Sequence, residues 1–234
     1  MLRLYLPGLR HGDPEVRIAG AELRHLRTLR LAPGARLRVL DDAGGEHDVV
    51  LERLTGREAI GRIVTSTRPA RESPLALTLA PALLKGPRMD LVVEKATELG
   101  VQRLAPVATA HVVRHGAHLE RWRRIAVAAA KQSGRTLVPL IDAPVPLEVL
   151  VAMPWPGLRL APWEGEQARR LDQLPAQADA VVALVGPEGG LSGAEIALAQ
   201  THGFVPLTLG PRVLRAETAA ITVAAHCQRR WGDG

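Results

Sequence analysis

The sequence predicts an α/β protein with a small β-rich domain ahead of the main one, and three observations carry that reading. Short alternating runs separated by turn residues fill the first part of the chain. From residue 71 the rhythm changes to strand, helix, strand, helix. Two apolar runs, V181-V-A-L-V185 and V205-P-L-T-L209, each end in a Gly-Pro corner, as parallel strands covered on both faces do.

Taken in order, L2-R-L-Y-L6, R36-L-R-V-L40, H47-D-V-V-L-E-R-L54 and A59-I-G-R-I-V64 read as strands, and G20-A-E-L-R-H-L-R-T-L-R30 as a single helix among them. This set suits a small β-barrel over residues 1–70. The Gly-rich turn D41-D-A-G-G-E46 lies between alternating strands and is read as a hairpin rather than a phosphate cradle. The stretch T67-R-P-A-R-E-S-P74 is the linker, and residues 71–234 form the α/β domain. There L75-A-L-T-L-A80 is a strand, followed by a helix with Met89, Val92, Val93, Ala96 and Leu99 on one face and Gly100 at its end. Leu104 to Ala108 reads as a short strand, and Trp122, Ile125, Ala126 and Ala129 mark the next helix. Residues 144–177, rich in Pro and Gln, receive no element.

Composition narrows the function classes. No apolar run approaches the roughly 20 residues of a membrane span, and the N-terminus has no signal-peptide pattern, so a cytoplasmic protein is expected. Cys227 is the only cysteine, which rules out an internal disulfide or a CxxC metal site; no metal is expected, and the thiol reads as a small apolar filler of the last helix. A formal net charge of +6 points to a polyanionic partner. Of the 30 basic residues only Lys85, Lys95 and Lys131 are lysines, and arginine's planar fork suits phosphate. A GC-rich genome or heat adaptation would enrich arginine as well.

The first corner, V185-G-P-E-G-G-L-S-G-A-E195, lets the backbone approach a ligand closely, and Ser192 with Glu195 forms a capping box that opens the next helix. The second, T208-L-G-P-R-V-L-R-A-E-T218, repeats the layout, with a helix opening near Glu217. Neither a Walker-type G-K-[ST] nor a G-x-G-x-x-G occurs, which argues against nucleoside triphosphates and Rossmann dinucleotides. Two such corners on neighbouring parallel strands suit a compact adenosine-bearing ligand.

G186-P-E-G-G-L-S192 and L209-G-P-R-V-L-R-A-E-T-A219 resemble the signature pair of the bacterial 16S ribosomal RNA uracil-N3 methyltransferases, a family of the SPOUT (trefoil-knot) superfamily. The similarity continues through E72-S-P-L75, K85-G-P-R-M-D90, E94-K-A-T-E-L-G-V101, R121-W-R-R-I-A126 and K131-Q-S-G-R135, covering most of residues 72–231. The resemblance implies a C-terminal trefoil-knotted SPOUT methyltransferase domain and a small N-terminal PUA-like β-barrel that binds RNA. It also implies S-adenosyl-L-methionine as cofactor, 16S rRNA within the small ribosomal subunit as substrate, and a homodimer for which Ala220, Val223, Ala224 and Cys227 of the last helix are the candidate contact, with ordinary core as the equal alternative for those residues. Cofactor contacts carry over by position to Leu184, Gly186, Glu188, Gly189, Leu209, Gly210, Arg212, Leu214 and Ala219.

Methylation at uracil N3 requires loss of a weakly acidic proton and stabilisation of charge on the ring, which a base and a cation supply. Arg212, Arg215 and Glu217 are the candidates at the second corner; Arg215 has a salt bridge to Glu217 or a bond to a helix carbonyl, and Glu217 a helix-dipole role, as alternatives. The chain departs from the family at T109-A-H-V-V-R114, where His111 stands near the place of a Glu-Arg pair and is a substrate-side candidate. Arg3, Arg10, Arg24 and Arg27 of the N-terminal domain, with Lys85 and Arg88, are expected to face RNA phosphate, and Arg135 to support RNA or the cofactor loop. A ribose 2'-O-methyltransferase of the same superfamily and a non-catalytic RNA-binding assembly protein are the rival readings.

Overall fold

The computed structural model describes residues 1–109 and 118–234, so His111 lies outside the described residues. The chain divides into two compact units, Met1–Glu72 with Ala130–Val138, and Ser73–Ala129 with Pro139–Gly234.

The first unit is built on β1 (Leu2–Tyr5), β2 (Glu15–Ile18), β3 (Arg36–Leu40), β4 (Glu46–Leu54) and β5 (Ala59–Thr67), with helix α1 (Gly20–Thr28). The sheet order is β1-β3-β4-β5-β2; β1 and β3 run parallel and the other neighbours antiparallel. Register shifts at Asp48/Val49 and Leu51/Arg53 curl β4 and β5. Gly61 sits inside the curl, where a Cβ would come 2.4 Å from Val49 Cγ1. The ladder stays open, with β1 and β2 as its two edges. Helix α1 turns Leu23 and Leu26 into the core beside Leu4, Ile18, Leu37 and Leu51, which leaves Arg24 and Arg27 exposed on its outer side.

The turn between β3 and β4 is a hairpin, held by Asp41 Oδ1, which accepts from the backbone N–H of Ala43 at 2.8 Å and of Gly45 at 2.7 Å. Asp41 also meets the buried His47, at 3.2 Å from Nε2. Burial opposes ionisation of Asp41, yet the Gly45 and Ala43 amides and His47 outweigh it and lower its pKa.

The second unit holds β6 (Ala76–Pro81), α2 (Pro87–Glu98), β7 (Arg103–Leu104), β8 (Val107–Ala108), most of α3 (Leu119–Ser133), β9 (Leu140–Ile141), β10 (Val145–Pro146), α4 (Leu147–Ala152), β11 (Leu158–Pro162), β12 (Ala180–Val185), α5 (Gly193–Thr201), β13 (Phe204–Leu207) and α6 (Ala216–Trp231). Its main sheet is parallel throughout, in the order β13-β11-β12-β6-β7-β9. β6 and β12 at its centre are buried along almost their whole length, which is why they read as unbroken apolar runs.

Several features differ from the sequence reading, among them β2, which received no element, and the open curled sheet in place of the expected β-barrel. The single strand expected over Leu104 to Ala108 is split at Ala105-Pro106: β7 joins the main sheet, whereas β8 pairs with β10 in a separate two-stranded sheet. Pro106 has no N–H to continue a ladder and offers only its carbonyl oxygen, which accepts from Val145 N at 3.3 Å. Residues 144–177 contain β10, α4 and β11, and β11 lies between β12 and β13. Finally, of the two readings of Ala220, Val223, Ala224 and Cys227 the structure has ordinary core: all four are wholly buried within the unit and are not available to a second chain.

Candidate functional site

Because β11 separates β12 from β13, three carboxyl ends stand side by side and three corners leave the sheet together. After β12 the chain turns at Gly186-Pro187, closed by Gly190 N donating to Pro187 O at 2.9 Å, and α5 begins with the expected capping box. Ser192 N donates to Glu195 Oε2 at 2.8 Å, and Glu195 N to Ser192 Oγ at 3.2 Å. After β13, Gly210 takes φ +130, and its N–H donates to Thr208 Oγ1 at 3.2 Å. After β11, Trp163 N donates to Leu207 O and Trp163 Nε1 to Leu191 O, each at 3.0 Å, so this corner ties the other two together.

A cavity of about 500 Å³ opens between the corners after β11 and β13. Leu209, Gly210, Arg212, Leu214 and Ala219 of the sequence-derived cofactor set line it. The other four members lie elsewhere. Leu184 is fully buried in the core, Gly186 packs against Leu191, Gly189 is exposed, and Glu188 belongs to an ion cluster. Thr208, Pro211 and Val213 add to the cavity's β13 side, and the opposite wall comes from the stretch that received no element: Pro162, Trp163, Glu164, Glu166, Gln167 and Arg170. The signal was present in L158-R-L-A-P-W163, an apolar run ending in a corner like the other two.

The ion cluster forms on α2 and the first corner. Gly86, at φ +55, and Pro87 open α2 and set Arg88 in its first turn. Arg88 Nη1 donates to Glu188 Oε1 at 2.8 Å, and Arg88 Nε stands 3.9 Å from Glu217 Oε1. Burial would raise the pKa of Glu188, but its own N–H, Arg88 and the Lys85 N–H prevail and lower it. Arg88 is therefore held by carboxylates, while Lys85 is exposed.

Arg212 and Arg215 are both exposed, and neither forms an ion pair among the described residues; the alternative salt bridge from Arg215 to Glu217 is absent. Arg215 is the N-cap residue of α6, with Glu217 in the first turn. Glu217 is only 8 % exposed, and its Oε2 has no hydrogen-bond partner among the described residues.

In the N-terminal unit Arg10, Arg24 and Arg27 are exposed. Arg3 is half-buried and donates to Lys131 O at 3.3 Å, across the end of α3. Arg135, expected near RNA or the cofactor loop, is instead buried: it donates to Glu72 Oε2 through Nη2 at 2.7 Å. Among the described residues no cluster of three potential metal ligands occurs, and no helix is long and apolar enough to cross a membrane.

Residues 71–228 match the family model of the RNA methyltransferase domain. The ribosomal RNA small subunit methyltransferase E of Synechocystis sp. is 35 % identical over 226 residues, covering 92 % of this chain and 73 % of that protein. The crystal structure of a ribosomal RNA small subunit methyltransferase E from Neisseria gonorrhoeae bound to S-adenosyl methionine superposes with a TM-score of 0.93 at 34 % identity, covering 100 % of this chain and 99 % of the other. A putative methyltransferase of Legionella pneumophila, solved with the same cofactor, gives a TM-score of 0.92 at 33 % identity, again over 100 % and 99 % of the two chains. With the three corners and the cavity between them, these similarities establish that the chain belongs to the RNA methyltransferase domain family, and within it to the ribosomal RNA small subunit methyltransferase E family.

Proposed function

We propose that this enzyme transfers the methyl group of S-adenosyl-L-methionine to N3 of a uridine in 16S rRNA within the small ribosomal subunit. The observation that carries the reading is the cavity of about 500 Å³ whose walls include Leu209, Gly210, Arg212, Leu214 and Ala219. Its volume falls in the range of small-molecule sites, and its walls combine apolar side chains with the open main chain of a glycine corner, as an adenosine moiety requires. When bound, the cofactor supplies an electrophilic methyl group; everything else is positioning and charge provided by the chain. Main-chain groups at Leu209-Gly210 orient the adenosine, Leu214 and Trp163 exclude water, and Gly186, Glu188 and Gly189 shape the adjoining corner around Leu184. Arg212 and Arg215, free of carboxylates, stabilise charge that develops on the uracil oxygens. Glu217 serves as the proton acceptor.

In the same reading residues 71–234 form a trefoil-knotted SPOUT domain, and residues 1–70 a PUA-like module whose curled sheet docks on RNA. Arg10, Arg24 and Arg27 contact phosphate there, and Lys85 does so beside α2; their exposure supports this. The protein works in the cytoplasm as a homodimer, through a surface other than the buried face of α6.

The test is transfer of labelled methyl to small subunits lacking the modification, followed by nucleoside identification and sedimentation of the free protein. N3-methyluridine supports the reading. Label in a ribose, or no transfer despite bound cofactor, overturns it.

A further inference from the structure

Glu217 presents a physical anomaly. A buried carboxylate oxygen without a donor forfeits hydration and receives nothing in exchange, so such atoms are rare and persist where a ligand completes them. Here the side chain is 11 % exposed and Oε2 has no partner among the described residues, while Oε1 faces Arg88 Nε at 3.9 Å. Arg88 is itself anchored on the other side by Glu188, at 2.8 Å. The guanidinium thus spans a residue of the first corner and one at the opening of α6, and pairs with one carboxylate oxygen while the other stays buried and unpartnered among the described residues.

An ionised carboxylate can only accept hydrogen bonds. No described residue supplies the donor that Oε2 lacks, and a bound substrate can supply one. A uracil ring presents N3–H at the atom to be methylated, whereas cytosine presents a lone pair there. We propose that Glu217 Oε2 is the acceptor for the imide N–H of the target base, so that it both selects uracil over cytosine and takes the departing proton, and that Arg88 is a positioning residue for it rather than an RNA contact. The proposal rests on the methyltransferase reading above and deepens it. As the N3–C bond to the methyl forms, the bond from that methyl to sulfur breaks with its electron pair left on sulfur as a neutral thioether, and the N3–H bond breaks with its proton passing to Oε2, which returns it to solvent after product leaves. The balance needs no further reactant.

A structural role makes the opposite predictions. Were Glu217 present only for the helix dipole or the Arg88 pair, its replacement by glutamine would lower stability and leave turnover alone. The experiment measures kcat and KM for unmodified small subunits, the cofactor Kd by calorimetry, and the melting temperature, for the wild type, Glu217→Gln, Arg88→Ala and Arg88→Lys. The expected result for Glu217→Gln is a kcat lowered by about 10²- to 10⁴-fold, with cofactor Kd unchanged and a melting temperature no lower than that of the wild type. Arg88→Ala lowers kcat by roughly 10- to 100-fold with little change in KM, and Arg88→Lys restores most of the rate. If Glu217→Gln turns over within twofold of the wild type, or if Arg88→Ala acts on KM alone, the proposal is overturned. Absence of transfer by the wild type removes the underlying reading, and this proposal with it.

Discussion

Trp163 donates its indole N–H to the main-chain oxygen of Leu191 at 3.0 Å, which fastens the corner after β11 to the residue just ahead of the α5 cap. Leu191 is 4 % exposed, so loss of the indole leaves a buried carbonyl short of a donor. Trp163→Phe removes that hydrogen bond and keeps an aromatic ring at the site, though a smaller one. The expected cost is about 1 kcal/mol of stability, together with a several-fold weaker cofactor Kd because the cavity wall loosens. Calorimetric titration of the cofactor checks this, and an unchanged Kd would mean that Trp163 does not shape the cofactor site.

Gly190 tests the same junction from the other side. Its φ is +73, and a Cβ placed on it would lie 2.1 Å from Glu164 Oε1. The left-handed conformation alone costs an alanine about 1–2 kcal/mol, and the Glu164 carboxylate would also have to move off the corner. Gly190→Ala should therefore lower the melting temperature and weaken cofactor binding together. Glu164→Ala/Gly190→Ala should recover the part due to the clash but not the part due to φ, and comparison of the two melts separates them.

What the sequence disclosed and what it withheld follow one rule. The Ser192–Glu195 capping box, the hairpin at Asp41–Glu46 and the apolar strands β6 and β12 are set by interactions a few residues apart or by burial on both faces, and all were legible. Long-range partners were not. Arg88 finds Glu188 one hundred residues away, and Arg135 finds Glu72 across sixty-three, so neither arginine could be told from a phosphate ligand by its neighbours in sequence. β11 was missed because five residues between Pro-rich flanks carry little local signal; its identity comes from pairing with β12 and β13. The third wall of the cavity was lost with it.

Glu72 makes the N-terminal unit sensitive to acid. Its carboxylate accepts from Arg135 Nη2 at 2.7 Å, Thr136 N at 2.9 Å and Leu137 N at 3.1 Å. Burial opposes ionisation, yet Arg135 and these amides outweigh it and lower the pKa below the ordinary 4.5. A depressed folded-state value stabilises the fold above the unfolded-state pKa, and that contribution is lost as pH falls through the folded value. Stability should thus be level in this respect above pH 4.5 and decline below it, with Asp41 adding to the decline from 3.8 downward. Glu72→Gln should cost about 3 kcal/mol near neutral pH, because Arg135 is left buried without its carboxylate, and should flatten the acid slope. Denaturant melts between pH 3 and 7 measure both, and an unchanged slope would show that the pair does not govern acid unfolding.

Cys227 offers a test of packing that is independent of the chemistry. It is fully buried on the inner face of α6, and burial alone pushes its thiol pKa up to about 12. At pH 8 the thiolate, the reactive form, is then roughly one part in 10⁴, and the sulfur is also out of reach of reagents. Native protein should resist iodoacetamide for as long as α6 stays docked and react fully once unfolded in denaturant. Because α2 packs against α6, any opening of that contact should appear as slow labelling. Labelling followed by intact mass in rising denaturant gives the free energy of that opening, and rapid reaction in native buffer would mean that α6 is not held as the structure shows.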